Sequence, residues 1–474
     1  MSNILNATGT LVINQDKLKG SRRLDSIDRA VVLQVSNKQL PFMNLSLQIT
    51  SGAGLLAILC VFRIANALLI NTAFDPDEYY QSLEIAHHHA FGRGYVTWEW
   101  VLAIRSYTHP VMFILVYRVV QFLNGGRFWV LIAPKILQGC ISAFADYYVF
   151  KLANLIFGIT TAKWVLFSSL ISWFNYYCMA RTYSNSTETT LTTIAMYYWM
   201  NSIVLPTKKA HFRIALVLAA IACVIRPTSA IVWIFMGVYK IIVSLQASDR
   251  LNRTTGIISD VLIIGYIEPK LRTIIIITSV SIDSHFFGRF VFTPWNFYKL
   301  NIIQNISLYY GGHPIWFYFV GGWPLILTLQ LGLVAYGISV TRFRLLFYLV
   351  LLFTCIMSLV THKELRFMLP MLPFTLIYSG VGITNLPPKL RKYILAWITL
   401  TNICVAIYFT RIHKSGVINA THWISNPNNM DLKPSLAILM PCHSSPMFSH
   451  IHLDLPIRMV SCLPPVLYLL SNLV

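Results

Sequence analysis

The chain has 474 residues, 56% of them hydrophobic and 11% charged, with a mean hydropathy of +0.61. Soluble domains carry roughly 25% charged residues, so a water-soluble globular fold is excluded. The formal net charge of +20 lies between apolar runs and not on one continuous basic face, which argues against nucleic acid as a partner and for the basic cytosolic loops of a membrane protein.

Residues 1–49 carry Lys17, Lys19, Arg22, Arg23, Arg29 and Lys38 ahead of the first apolar run. They lack the compact layout of a cleaved signal peptide and are expected in the cytosol. Apolar runs follow near 50–70, 109–124, 128–150, 163–180, 191–205, 228–245, 325–340, 345–361, 367–386 and 393–412. Each approaches or reaches the roughly 20 residues of a spanning helix, which predicts an all-α polytopic membrane protein with about ten or more spans over residues 50–412. The helix count between 206 and 320 stays open, because Glu268-Pro269-Lys270 and the Asp283 region interrupt the pattern. Residues 71–107 are too polar to span and form a lumenal loop after the first span. By the same alternation, with basic turns at Arg342–Arg344 and Lys389–Lys392 in the cytosol, His362–Arg366 and the tail 413–474 are lumenal. Of eight cysteines, six lie in apolar runs, while Cys442 and Cys462 lie in the polar tail, where a pair and two free thiols are both open.

Three clusters carry chemistry. Phe74-Asp75-Pro76-Asp77-Glu78-Tyr79-Tyr80-Gln81 sets three acids at the lumenal mouth of the first span. Pro76 biases Asp75 towards extended backbone, so the turn displays its acids, one of which is suited to deprotonate a hydroxyl. A solvated helix start with acids on the dipole is the plainer alternative. His362-Lys363-Glu364-Leu365-Arg366-Phe367 brings cations to the membrane boundary, where a lipid phosphate sits; on a helix His362 and Arg366 would share a face. Simple snorkelling is its alternative. Arg181, Ser184, Asn185, Glu188 and Thr192 fall at helical spacing and predict one polar stripe facing a substrate cavity, against a purely structural ladder. Arg226, before Pro227 at a helix break, adds a cation towards the lumen, suited to phosphate. His87-His88-His89 is disfavoured as a metal site because consecutive side chains diverge. Trp98-Glu99-Trp100 and Arg105-Ser106-Tyr107 read as amphipathic surface with interfacial anchors.

These motifs, with Thr97-Trp98-Glu99-Trp100, Ile225-Arg226-Pro227-Thr228, His313-Pro314 and Met440-Pro441-Cys442-His443-Ser444, resemble glycosyltransferase family 22, within it the GPI mannosyltransferase III subfamily, over about residues 50–465. The resemblance implies a GT-C glycosyltransferase fold in the endoplasmic reticulum membrane, with lumenal loop 1 and a lumenal tail. It also implies dolichyl phosphate mannose as donor, a GPI-precursor glycolipid as acceptor, and an inverting α-1,2 transfer of the third mannose without metal or other cofactor. Carried over, Asp77 is the base and Glu78 its partner. So carried over, His362, Lys363 and Arg366 meet donor phosphate; the residues themselves, apart from the resemblance, add Arg226 as a phosphate contact and Arg181, Asn185, Glu188 and Arg105 as lining of the substrate cavity. Asp75 is an acid that the family pattern does not demand, and the tail is expected to be shortened. A sister enzyme of N-glycan precursor assembly or of the fourth GPI mannose is the nearest rival. A lipid transporter or scramblase is the rival from another class, although it has no need of the acid-rich loop.

Overall fold

The structure, a computed structural model, describes residues 52–204, 209–246, 268–304, 306–426 and 435–460. The N-terminal 1–49 segment, Cys462 and the end of the tail lie outside them. Helix α1 runs Gly52–Leu69 and meets α2, Arg127–Phe157, along most of its length. Their approach is close because Gly139 offers no side chain: a Cβ there would stand 2.9 Å from the Ile64 Cα. Arg63 of α1 crosses this contact to Asp146 of α2, Nε to Oδ2 at 2.5 Å and Nη2 to Oδ1 at 3.0 Å, with Ser169 donating to the same carboxylate. This pair was hidden within two apolar runs. In a dry interior such a bidentate pair fixes register more than it adds stability.

Helices α3 (Ile159–Ile171), α4 (Ser184–Val204), α5 (Lys209–Ile225), α6 (Ala230–Gln246) and α7 (Glu268–Phe287) follow. The bundle is completed by α8 (Gln330–Val340), α9 (Leu345–Leu359), α10 (Leu372–Asn385) and α11 (Pro388–Ile407). Helix α10 is the centre of the core, with Leu372 through Ile383 all buried. Gly337 and Gly382 let α8 press against it; a Cβ on Gly337 would lie 1.9 Å from the Tyr378 carbonyl. Such small-residue contacts are how helices associate where lipid removes the hydrophobic drive.

Among the described residues, four stretches are long and apolar enough to cross a membrane: Gly52–Leu69, Arg127–Phe157, Leu365–Asn385 and Pro388–Ile424. A bent pair, Tyr318–Leu327 with Gln330–Val340, forms a fifth, and six apolar helices of 10–17 residues pack beside them. The expected run 163–180 is split, since Ser172 is extended at φ −61° and ψ 116° between α3 and a short helix from Trp173. The expected interruption at Asp283 is absent: α7 continues through it because Asp283 is buried and accepts from Tyr107 N, Ser106 and Thr293.

At one end of the bundle the loop after α1 packs against the tail. Glu84 accepts from Met447 N at 2.9 Å, Ser449 N at 3.0 Å and the Ser449 hydroxyl at 2.6 Å. Tyr80 donates to the Ser445 carbonyl at 2.6 Å. The tail also holds a short parallel ribbon, β1 (Leu436–Ile438) with β2 (Ile457–Met459), an addition to the otherwise helical fold.

Candidate active site

The acid run begins where α1 ends. Asp75 stays outside the helix before Pro76, and its Oδ1 accepts from Asp77 N at 3.0 Å, a short side-chain turn that sets Asp77 at the start of the next helical segment. The following turn, Tyr79–Leu83, is a π-helix, a wider winding common at functional sites.

Across from it, Glu364 is extended at φ −135° and a 3₁₀ turn opens at Leu365. The expected shared helical face of His362 and Arg366 therefore does not exist. The two are joined through Glu364 instead: His362 Nε2 lies 2.9 Å from Oε1, and Arg366 Nε donates to Oε2. Arg366, with a side chain 3% exposed, reaches Asp77 Oδ2 through Nη2 at 2.5 Å and Asp75 Oδ1 at 3.5 Å. Its guanidinium lies 5.2 Å from the centre of the Tyr183 ring.

These groups line a cavity of about 540 Å³. Asp75, Asp77, Arg105, Arg226, His362 and Arg366 all face it. Burial pushes the Asp75 carboxyl up to about 7, against the pull of Arg366 and with the push of Asp77 and Glu364. For Glu364 burial acts upward too, but Arg366 and His362 prevail and hold it well below the ordinary carboxylate range. The Glu364 hydrogen bond in turn raises His362. One side of the cavity is thus a chain of alternating charge, cation-rich enough for an anion yet lined by acids able to take a proton.

The remaining sequence candidates stand behind this surface. Glu78 turns away from Asp77 and pairs with Arg181, Oε2 to Nη1 at 2.6 Å, while Arg181 also donates to the Thr72 carbonyl and hydroxyl. Arg181 is not on the expected helical stripe, because α4 begins only at Ser184. Asn185 donates to the Arg366 carbonyl at 3.3 Å. Glu188 braces Arg226, Oε2 to Nε at 3.1 Å, and accepts from Ser229 at 2.6 Å. Lys363 donates to the His313 carbonyl at 2.9 Å and does not line the cavity. His87 and His89 part, His87 meeting Arg93 O and His452, His89 meeting Tyr107.

Of the residues read as amphipathic surface, Trp98, Glu99 and Arg105 line the cavity, whereas Trp100 and Tyr107 are buried in the core. Trp98 lies parallel to Tyr310, 6.1 Å between ring centres and 4° between planes. Glu99 takes both Nε and Nη2 of Arg105 on one oxygen, at 3.1 and 2.8 Å, and Gln81 on the other at 3.1 Å. Tyr309, Cys442 and His443 complete this side, and Cys442 is disulfide-bonded. Sequence offered no signal for Tyr309 or Tyr310, which lie more than 200 residues from Trp98; His443 stood in the Met440-Pro441-Cys442-His443-Ser444 motif, with no sign that it would meet this cavity.

Residues 55–452 match the Alg9-like mannosyltransferase family. The chain belongs to that family. It is therefore a membrane glycosyltransferase, with several spans and with the polyprenol-linked sugar donors of its family. It is 35% identical over 425 residues to human "GPI alpha-1,2-mannosyltransferase 3", covering 86% of this chain and 72% of that one. To "GPI mannosyltransferase 3" of Yarrowia lipolytica it is 36% identical over 416 residues, 87% and 77%. To "Mannosyltransferase APTG1" of Arabidopsis thaliana it is 35% identical over 433 residues, 85% and 76%. Among solved structures, ArnT from Cupriavidus metallidurans bound to undecaprenyl phosphate aligns with a TM-score of 0.62 at 11% identity, covering 88% of this chain and 87% of that one. The mannosyltransferase shares the GT-C fold with it.

Proposed function

We propose that this mannosyltransferase adds the third, α-1,2-linked mannose to the GPI-anchor precursor, taking it from dolichyl phosphate mannose in the lumen of the endoplasmic reticulum. The observation that carries the reading is the contact of Asp77 with Arg366 in one cavity, which puts a proton acceptor beside a phosphate-binding cation. Relatives carrying the name GPI mannosyltransferase 3 supply the acceptor.

In the mechanism, an acceptor mannose hydroxyl gives its proton to Asp77 as its oxygen attacks the donor's anomeric carbon. The bond from that carbon to the phosphate oxygen breaks, and the electron pair leaves with dolichyl phosphate, inverting the sugar centre. Arg366 and Arg226 meet the growing charge on phosphate, a contribution of several kcal/mol in a partly dry site. An incoming phosphate competes with Asp77, Asp75 and Glu364 for Arg366, so donor binding loosens the carboxylates that must take the proton. His362, raised by Glu364, lines the same cavity. Glu78 acts at one remove: with Arg181 it fixes the turn that carries Asp77. Trp98 and Tyr310 offer flat faces for sugar rings.

The test is the GPI intermediate that accumulates in cells lacking the protein. A two-mannose species supports the reading; normal GPI with a truncated N-glycan precursor assigns the protein to the sister pathway instead.

A further inference from the structure

The Asp75–Tyr80 turn is a wall between two cavities. Asp77 and Tyr80 face the one already described, while Glu78 and Tyr79 line a second, of about 370 Å³. That second cavity is lined from three elements: α1, which closes at Leu69, α2, which opens at Arg127, and the turn after α11, which finishes at Ile412. Its rim is apolar and open, with Phe128 63% and Leu68 42% exposed. Its floor is basic. Arg181, Lys135 and Arg411 all line it, against Glu78 as the single carboxylate among the lining residues. Glu78 is already taken by Arg181 at 2.6 Å. Lys135 and Arg411 have no carboxylate within ion-pair distance among the described residues.

A plain structural role exists for both cations, since Lys135 Nζ donates to the Ile70 carbonyl at 3.1 Å and Arg411 Nη1 to the Leu69 carbonyl at 2.8 Å. These are orphan carbonyls at the end of α1. Capping, however, uses one N–H of each side chain, out of three on an ammonium and five on a guanidinium. It does not explain the excess of positive charge beside an apolar rim. A charged pair of donors inside a lipid-facing mouth is what an anionic lipid headgroup requires.

We propose that this second cavity binds the anionic phosphodiester headgroup of a membrane lipid, held by Lys135 and Arg411. Two lipids present that chemistry at this surface: the glycolipid acceptor through its own inositol phosphate, an identification that rests on the proposed function, and an independent anionic phospholipid. Either way the phosphodiester lies directly behind the Glu78–Arg181 pair that holds the turn carrying Asp77.

The full-length protein in detergent, titrated with phosphatidylinositol and read by native mass spectrometry without any sugar donor, tests this apart from the transfer reaction. Lys135→Gln and Arg411→Gln, which keep a donor for the α1 carbonyls, are expected to weaken phosphatidylinositol binding about tenfold each, as loss of a charge-assisted contact does. Lys135→Arg and Arg411→Lys are expected to keep it. Unchanged binding in both glutamine variants overturns the proposal. So does equal loss in the charge-keeping variants, which returns the cations to a capping role. The source is read from KM for the lipid acceptor and for the same glycan stripped of phosphate and lipid. A rise confined to the phosphate-bearing acceptor identifies the acceptor itself, whereas unchanged KM for both with weakened phosphatidylinositol binding identifies an independent phospholipid.

Discussion

Replacing Asp77 with Asn separates proton transfer from architecture. Arg366 touches Asp77 Oδ2 at 2.5 Å, but it also holds Asp75 Oδ1 at 3.5 Å and Glu364. The buried guanidinium therefore keeps Glu364 and Asp75 as acceptors when Asp77 becomes an amide. The stability loss is that of one charge-assisted bond turned neutral, about 1 kcal/mol. Loss of a positioned base is larger, roughly 10² to 10⁴ in turnover, or about 2.7 kcal/mol of barrier and upward. Asp75→Asn makes a useful contrast. With its carboxyl near 7, Asp75 already spends much of its time protonated at neutral pH, and the amide imitates that form, so turnover is expected to change only a few-fold. The assay is mannose transfer from dolichyl phosphate mannose to a two-mannose acceptor at matched protein levels. Near-normal turnover in Asp77→Asn together with collapse in Asp75→Asn would refute the assignment and make Asp75 the base.

Other expectations follow from neighbouring contacts. Arg366→Lys keeps the charge and loses the fork that spans Glu364 and Asp77, so KM for the donor is expected to rise about tenfold or more, measured at saturating acceptor. Glu78→Gln leaves the buried Arg181 without its carboxylate, which costs about 3–5 kcal/mol; the thermal midpoint and protein abundance are expected to fall while donor KM in the surviving protein holds. Asp75 gives a pH signature. Its folded pKa lies above the unfolded value of 3.8, so the stability it contributes is present at low pH and is lost as pH rises towards about 7. Thermal unfolding of wild type and Asp75→Asn between pH 4.5 and 8 is expected to show a steeper decline in the wild type.

Much of the site was legible because its two halves are local runs. Asp75, Asp77, His362 and Arg366 stand in two short segments of unusual charge within an apolar chain, and a charge at membrane depth is rarely without function. Side-chain direction was not legible. Glu78 follows Asp77 in sequence yet faces the opposite cavity, because the chain enters helical winding there and adjacent side chains diverge. Arg181 matched a helical spacing, but the helix starts three residues later, at Ser184, and the side chain pairs with Glu78. The polar stripe of α4 likewise braces Arg366 and Arg226 from behind. Arg63 and Asp146 escaped notice because each stands alone in an apolar run, and only their packing across Gly139 pairs them. Tyr310 joined the site through tertiary contacts that no local pattern announces, and the motif holding His443 did not say which cavity it would line.

The central claim is tested most directly by giving the purified protein dolichyl phosphate mannose together with GPI precursors bearing two and three mannoses, and identifying the product linkage. Transfer to the two-mannose acceptor, forming a bond that an α-1,2-specific mannosidase removes, is the predicted result. Transfer to the three-mannose acceptor alone, or no transfer to either alongside transfer to a lipid-linked N-glycan precursor, would contradict it.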